Sequence, residues 1–158
     1  MKTLIALLCL ALSCVLPNAH AADANEIVGY WKVESNEAII HIYARDGKYF
    51  GNIAWLRDPV YGTNEGQDWA GKPVVDRNNP DASQRNRPIL GLEILSGLIF
   101  EDDEGWENGK IYNSDDGRVY QCKVWLADIK TLKFRGFIGI PLLGKTTTWT
   151  RTAMFTPP

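Results

Sequence analysis

Histidine and cysteine are scarce in this chain. Its 158 residues include two histidines and three cysteines. His20, Cys9 and Cys14 all lie in an amino-terminal stretch that reads as a leader, which leaves His41 and Cys122. A lone thiol rules out an intrachain disulfide framework. A single imidazole argues against a zinc site built on paired histidines. Cys122 alternates with Tyr120 and Val124 in a strand-like run, so it reads as a small buried hydrophobe. Charge excess is missing as well: 17 Lys and Arg face 19 Asp and Glu, a formal net charge of −2. No basic face for nucleic acid is expected, and no polybasic run of the kind that binds anionic lipid. There is no nucleophile elbow, P-loop or dinucleotide fingerprint, and no internal repeat. No convincing amphipathic helix and no apolar run long enough to span a membrane is present.

The amino terminus does contain a short apolar run. Lys2 supplies a positive start, residues 3–15 are apolar, and Ala19-His20-Ala21 places small residues at the cleavage-determining positions. Residues 1–21 therefore read as a secretory signal peptide cut after Ala21, with residues 22–158 forming one exported domain, periplasmic or secreted. An anchored lipoprotein on Cys14 is disfavoured, because Ala11-Leu12-Ser13 matches a lipobox poorly. Loss of Lys2 with the leader takes the formal net charge from −2 to −3.

Beyond the leader the apolar period is two nearly everywhere, which predicts strands. Residues 26–34 place Ile27, Gly29, Trp31 and Val33 on one face. Residues 38–44 and 48–56 flank the turn signal Arg45-Asp46-Gly47 and predict a hairpin, with Tyr49, Gly51, Ile53 and Trp55 sharing a face. Residues 57–88 are rich in Pro, Gly, Asn and Asp and form a long connection, with a short helix around 81–85. Strand signals return at 89–100, 110–113, 118–126, 131–138 and 145–155, separated by turns that include an acidic one at 102–109 around Trp106. About eight short strands with glycines at bend positions predict an all-β fold, a small antiparallel up-and-down barrel with one long loop insertion.

Closure of such a barrel would place the first and last strands side by side. Trp149 and Arg151 project from one face of the last strand, and Trp31 from the first. The three read as a packing latch, with the guanidinium lying on an indole. Gly29-Tyr30-Trp31 near the start with Arg151 near the end resembles the lipocalin and calycin signature. The whole exported part resembles more closely the bacterial domain-of-unknown-function family 2147 (DUF2147). The matching pieces run in order: Gly29-x-Trp31, Tyr49-Phe50-Gly51-Asn52-Ile53, Asp76-x-Asn78-Asn79-Pro80-Asp81 and Arg87-Pro88-Ile89-Leu90-Gly91. They continue with Trp106-x-Asn108-Gly109-Lys110-Ile111-Tyr112, Asp116-Gly117-Arg118-Val119-Tyr120, Arg135-Gly136-Phe137-Ile138-Gly139 and Trp149-Thr150-Arg151. The resemblance implies a lipocalin-like barrel and brings no activity with it.

Candidate site residues come from two sources. The stretch DRNNPDASQRNRP holds Asp76, Asn78, Asn79, Asp81, Arg85 and Arg87. It reads as turn and helix caps, as a lid whose Arg85 or Arg87 grips an anionic head, or as a calcium loop through Asp76, Asn78 and Asp81. The last lacks EF-hand spacing. The acidic run Glu101-Asp102-Asp103-Glu104 reads as a solvated turn. The second source is aromatic: Tyr43, Tyr49, Trp55, Tyr120, Trp125 and Phe134 fall in strands, where at most half can line one interior. Such inward rings either fill the barrel or wall a cavity.

A binding module for a small hydrophobic or amphipathic molecule follows, with Tyr43, Tyr49, Trp55, Asp76, Asn79, Arg85, Arg87, Phe134 and Arg135 as its candidate contacts. Neither a cofactor nor a metal is expected. An alternative is a filled barrel whose loops, with Trp69 or Trp106 exposed, dock another envelope component. A hydrolase or isomerase using Asp76 with Arg87 is the third reading.

Overall fold

A computed structural model describes residues 23–153. The expected leader, the Cys14 anchor site and the end of the last predicted strand lie outside them. Eight strands form a closed antiparallel barrel in simple sequential order: β1 (Gly29–Lys32), β2 (Ala38–Arg45), β3 (Lys48–Leu56), β4 (Glu93–Glu101), β5 (Gly105–Asn113), β6 (Arg118–Asp128), β7 (Thr131–Phe137) and β8 (Lys145–Thr152). The fold is the all-β, up-and-down barrel that the two-residue period predicts. Closure is made by β1 against β8, with Trp31 directly opposite Arg151. A closed sheet leaves no unpaired edge for another chain to extend.

Alternation decides what fills the barrel. Trp31, Ile40, Ile42, Tyr49, Ile53, Leu98, Trp106, Val124, Leu132, Phe134 and Trp149 are buried in one core cluster. The β2–β3 hairpin turns at Asp46 and Gly47, both at positive φ, as a tight two-residue connection requires. Two other hairpin turns, β4–β5 and β6–β7, lie at the same end of the barrel, and the chain preceding β1 closes it. At the opposite end the long connection 57–92 folds over the opening.

Two strand predictions need correction. Trp106 does not sit on an exposed acidic turn: β5 begins at Gly105, and Trp106 points inward with 1% of its surface exposed. Its burial removes it from any docking surface. A β-bulge in the β2–β3 ladder follows the pair Ile40–Ile53, after which Ile39 faces Trp55 and Ala38 faces Leu56. One extra residue reverses the side of everything beyond it. The side chain that continues the inner wall is therefore Leu56 rather than Trp55.

Candidate functional site

The closed end is filled. Arg151 lies with its Cζ 4.2 Å from the centre of the Trp31 ring. Its Nε donates to Ile129 O at 2.7 Å and its Nη1 to Val28 O at 3.0 Å, while Nη2 donates to Glu26 O. Burial lowers the affinity of this guanidinium for its proton. Trp31 Nε1 donates to Ile27 O at 2.8 Å, Trp106 Nε1 to Ala24 O at 3.0 Å, and Tyr49 OH to Asn25 Oδ1 at 3.3 Å. These three polar tips thus hold the segment before β1 as a plug, as buried indole and phenol groups require a partner. Of the expected latch residues, Trp31 and Arg151 meet. Trp149 stands one step away and stacks in parallel on Phe134, with centroids 4.7 Å apart.

The other end is open inside. A cavity of about 530 Å³ lies between the filled core and the long connection. Its floor and walls are apolar: Val33, Ala38, Ile40, Ile53, Leu56, Ile94, Ile111 and Trp149 from the barrel, with Tyr61, Val74 and Ile89 from the connection. Its rim is polar, with Arg77 and Asn78 on one side, Asn113 to Asp115 on another, and Ser35, Glu37 and Asp58 on a third. Small-molecule sites typically enclose about 300–1,000 Å³ with this division between apolar walls and a few polar groups.

The connection is held in place by a buried polar cluster. Asp76 is fully buried. Its Oδ2 accepts from Arg87 Nε at 2.9 Å, Arg87 Nη2 at 2.8 Å and Asn79 Nδ2 at 2.8 Å, and its Oδ1 accepts from Tyr112 OH at 2.6 Å. Burial, and then the neighbouring Asp76 carboxylate, push the Tyr112 phenol above its ordinary value, so it keeps the proton it donates. Next to this cluster Asn78 Nδ2 donates to the carbonyls of Ser114 and Asp115 at 3.2 and 3.0 Å. The backbone of Asn78 lies so close to Gly117 that a Cβ there would sit 2.1 Å from Asn78 O. Gly117 also has φ +70°, so the position is restricted to glycine on two grounds. The connection is thereby joined to the β5–β6 turn across the mouth.

This geometry separates the sequence candidates. Asp76, Asn79 and Arg87 come together, but as the clamp and not as part of the cavity lining. A carboxylate satisfied by four donors serves to hold the loop and offers no open face to a substrate. Asp76, Asn78 and Asp81 do not converge as cation ligands: Asn78 turns its amide nitrogen to carbonyls, and Asp81 Oδ1 accepts from Ser83 N and Oγ at the cap of the 3-10 turn Ala82–Gln84. Arg85 Nε donates to Asn79 O at 2.8 Å. Arg135 donates to Pro141 O, Leu142 O and Thr146 Oγ1 and shapes the β7–β8 loop. Tyr43 is on the outer wall with Glu93, Arg45 and Phe50, and burial followed by the Glu93 contact raises its phenol. Tyr49 fills the closed end, Phe134 backs Trp149, and Trp55 is half-buried outside the cavity lining.

Sequence reasoning missed Arg77, Asn113 and the isoleucines. Arg77 lies at the rim, 3.0 Å from Glu65 and 5.1 Å over the Tyr61 ring, and the Glu65 contact raises its guanidinium. One signal was present: Ile40, Ile53 and Ile111 keep the two-residue period toward the mouth ends of their strands.

A closed eight-stranded barrel with one plugged end and an apolar cavity at the other is a protein of the lipocalin-like class. The solved structure of protein HP1028 from Helicobacter pylori, described as belonging to the lipocalin family, has the same fold. It is 24% identical, covers 80% of this chain and 82% of its own, and superposes with a TM-score of 0.66. The model of the family described as "Uncharacterized protein conserved in bacteria (DUF2147)" matches residues 29–151, and the chain belongs to that family. No curated protein matches it.

Proposed function

We propose that the protein is an exported carrier of one small amphipathic molecule, held with its apolar part down in the mouth-end cavity. The observation that carries this reading is the cavity itself: about 530 Å³, walled by aliphatic side chains and Trp149, and ringed by polar groups. Burial of apolar ligand surface there supplies the affinity, at roughly 25 cal/mol per Å² before the costs of association. Arg77 is the group best placed for a polar or anionic head. Its partner Glu65 holds it in an exposed surface pair, and such pairs are weak enough to exchange. Export is supported by the leader-like amino terminus.

Native mass spectrometry of protein purified from its own host tests the reading directly, and reads the amino terminus at the same time. Bound mass of a few hundred daltons is the expected result. In parallel, the fluorescent probe 1-anilinonaphthalene-8-sulfonate should bind at one site. Ile111→Trp, which fills the cavity from β5, should weaken it at least tenfold while the barrel stays folded. An empty protein whose probe affinity is indifferent to Ile111→Trp would defeat the proposal.

A further inference from the structure

The loop joining β7 to β8 is the most apolar exposed feature among the described residues. Ile138, Ile140, Leu142 and Leu143 are 66%, 55%, 80% and 78% exposed. Other exposed large aliphatics, such as Val60, Val119 and Ile129, lie singly on separate elements. Single ones are ordinary; four on one loop form a patch that calls for a function. The loop is also built rather than loose: Arg135 Nε donates to Pro141 O at 2.7 Å and Nη2 to Leu142 O at 3.1 Å, with Nη1 on Thr146 Oγ1. Pro141–Leu143 form a 3-10 turn, so the two leucines are presented on a rigid tip.

Charge gives the second observation. Residues 129–153 contain Lys130, Lys133, Arg135, Lys145 and Arg151 and not one Asp or Glu, in a chain whose net charge is negative. Arg135 and Lys145 bracket the leucine tip, and neither has a carboxylate partner among the described residues. Lys110 lies across the crevice that Pro141 and Phe137 line; there Lys123 is paired with Glu107. No basic run is visible in the sequence, because Arg135 and Lys145 lie on two strands and flank the loop only once β7 and β8 pair, whereas Lys130 and Arg151 stand at the closed end. Aliphatic side chains at the tip with cations set behind them match an anionic lipid surface, whose headgroups attract Lys and Arg while its acyl boundary takes the leucines.

From this pairing we infer that the β7–β8 loop, through Leu142 and Leu143 with Arg135 and Lys145 behind them, docks the protein on an anionic membrane surface. Register places the loop at the open end of the barrel: Gly136 pairs with Lys145, and Phe137 pairs with Gln121, which in turn faces Lys110 near the end of β5. The docked protein would hold its cavity mouth close to lipid, though the docking does not depend on what the cavity contains. A peripheral contact of this kind has a modest affinity and falls as salt rises, since charges are screened over about 8 Å at 0.15 M ionic strength.

Flotation with vesicles tests the inference, using purified protein whose amino terminus has been read by mass spectrometry. Binding to phosphatidylglycerol vesicles is expected, with at least tenfold weaker binding to pure phosphatidylcholine. The double variant Leu142→Ser/Leu143→Ser should lose at least tenfold, because two exposed aliphatic groups no longer enter the lipid. Lys145→Glu should reduce binding to anionic vesicles and flatten its salt dependence. Neither variant touches the cavity lining, so probe binding in the cavity should be unchanged, and a failure here is distinguishable from an empty cavity. Equal binding to both lipids, no binding at low salt, or a double variant that floats like the parent would overturn the inference. So would a concentration-dependent dimer that the double variant abolishes, which would assign the tip to a second copy of the chain.

Discussion

Removing the Asp76 carboxylate should release the connection that covers the mouth. Asp76→Ala leaves the Arg87 guanidinium, the Tyr112 hydroxyl and the Asn79 amide without the acceptor that now lies 2.6–2.9 Å away. Because Asp76 is fully buried, water does not replace that acceptor without a local opening. Breaking one partner of a buried, hydrogen-bonded charge pair costs about 3–5 kcal/mol. With a urea slope near 2 kcal/mol per molar, the unfolding midpoint should fall by about 1.5–2.5 M. Asp76→Asn should fall less, since an amide oxygen still accepts from Tyr112, but it should not reach the parent. Hydrogen exchange locates the damage. The amides of Val74 and Ile89, which bond Pro59 O and Val74 O, should lose protection more than the β6–β7 ladder does. Tyr112→Phe combined with Asp76→Ala should be strongly non-additive, because the two side chains share one bond. A loss under about 1 kcal/mol in Asp76→Ala, with unaltered exchange at Val74 and Ile89, would refute the assignment of this cluster as the clamp.

The remaining predictions concern the plug, the thiol and the mouth turn. Arg151→Ala removes donors to three carbonyls and the stack on Trp31, and should cost about 2–4 kcal/mol in urea unfolding; full rescue by Arg151→Lys would contradict the role given to the planar fork. Cys122 is buried, which pushes its thiol from 9.0 up to about 12. It should react with a disulfide reagent at pH 8 only as fast as the protein opens, and fast labelling without unfolding would disprove its burial. The folded value is the higher one, so its contribution to stability is complete below pH 9 and is lost as pH rises toward 12; Cys122→Ala should flatten that decline. Gly117→Ala should destabilise markedly and speed exchange in the 113–118 turn, because the new Cβ meets Asn78 O; a neutral outcome would show that the loop and turn are not in contact in solution.

Much of the architecture was legible in the residues. Strand count, the Asp46-Gly47 hairpin and the meeting of Trp31 with Arg151 all follow from local signals: a period of two, a two-residue turn and matched large side chains at the chain ends. The long polar connection also announced itself by composition. The cavity did not. Whether Trp55 or Leu56 faces inward depends on one extra residue in the β2–β3 ladder, and period-two reasoning has no means of seeing a bulge before the partner strand is in place. Trp106 looked like part of an acidic turn because its neighbours are charged, yet the plug before β1 supplies the carbonyl that allows its indole to be buried.

The arginines show the same division. Arg77, Arg85, Arg87 and Arg135 look alike in sequence, and the loop that carries three of them has no period to orient its side chains. Only the fold commits Arg87 to Asp76, Arg85 to a carbonyl and Arg135 to the β7–β8 loop, leaving Arg77 at the rim. The sequence by itself determined that the chain closes into a barrel, because alternation and end-to-end pairing are written in neighbouring residues. The tertiary structure alone decided which end is filled, which is open and which polar groups border the opening, because those outcomes depend on contacts between segments tens of residues apart.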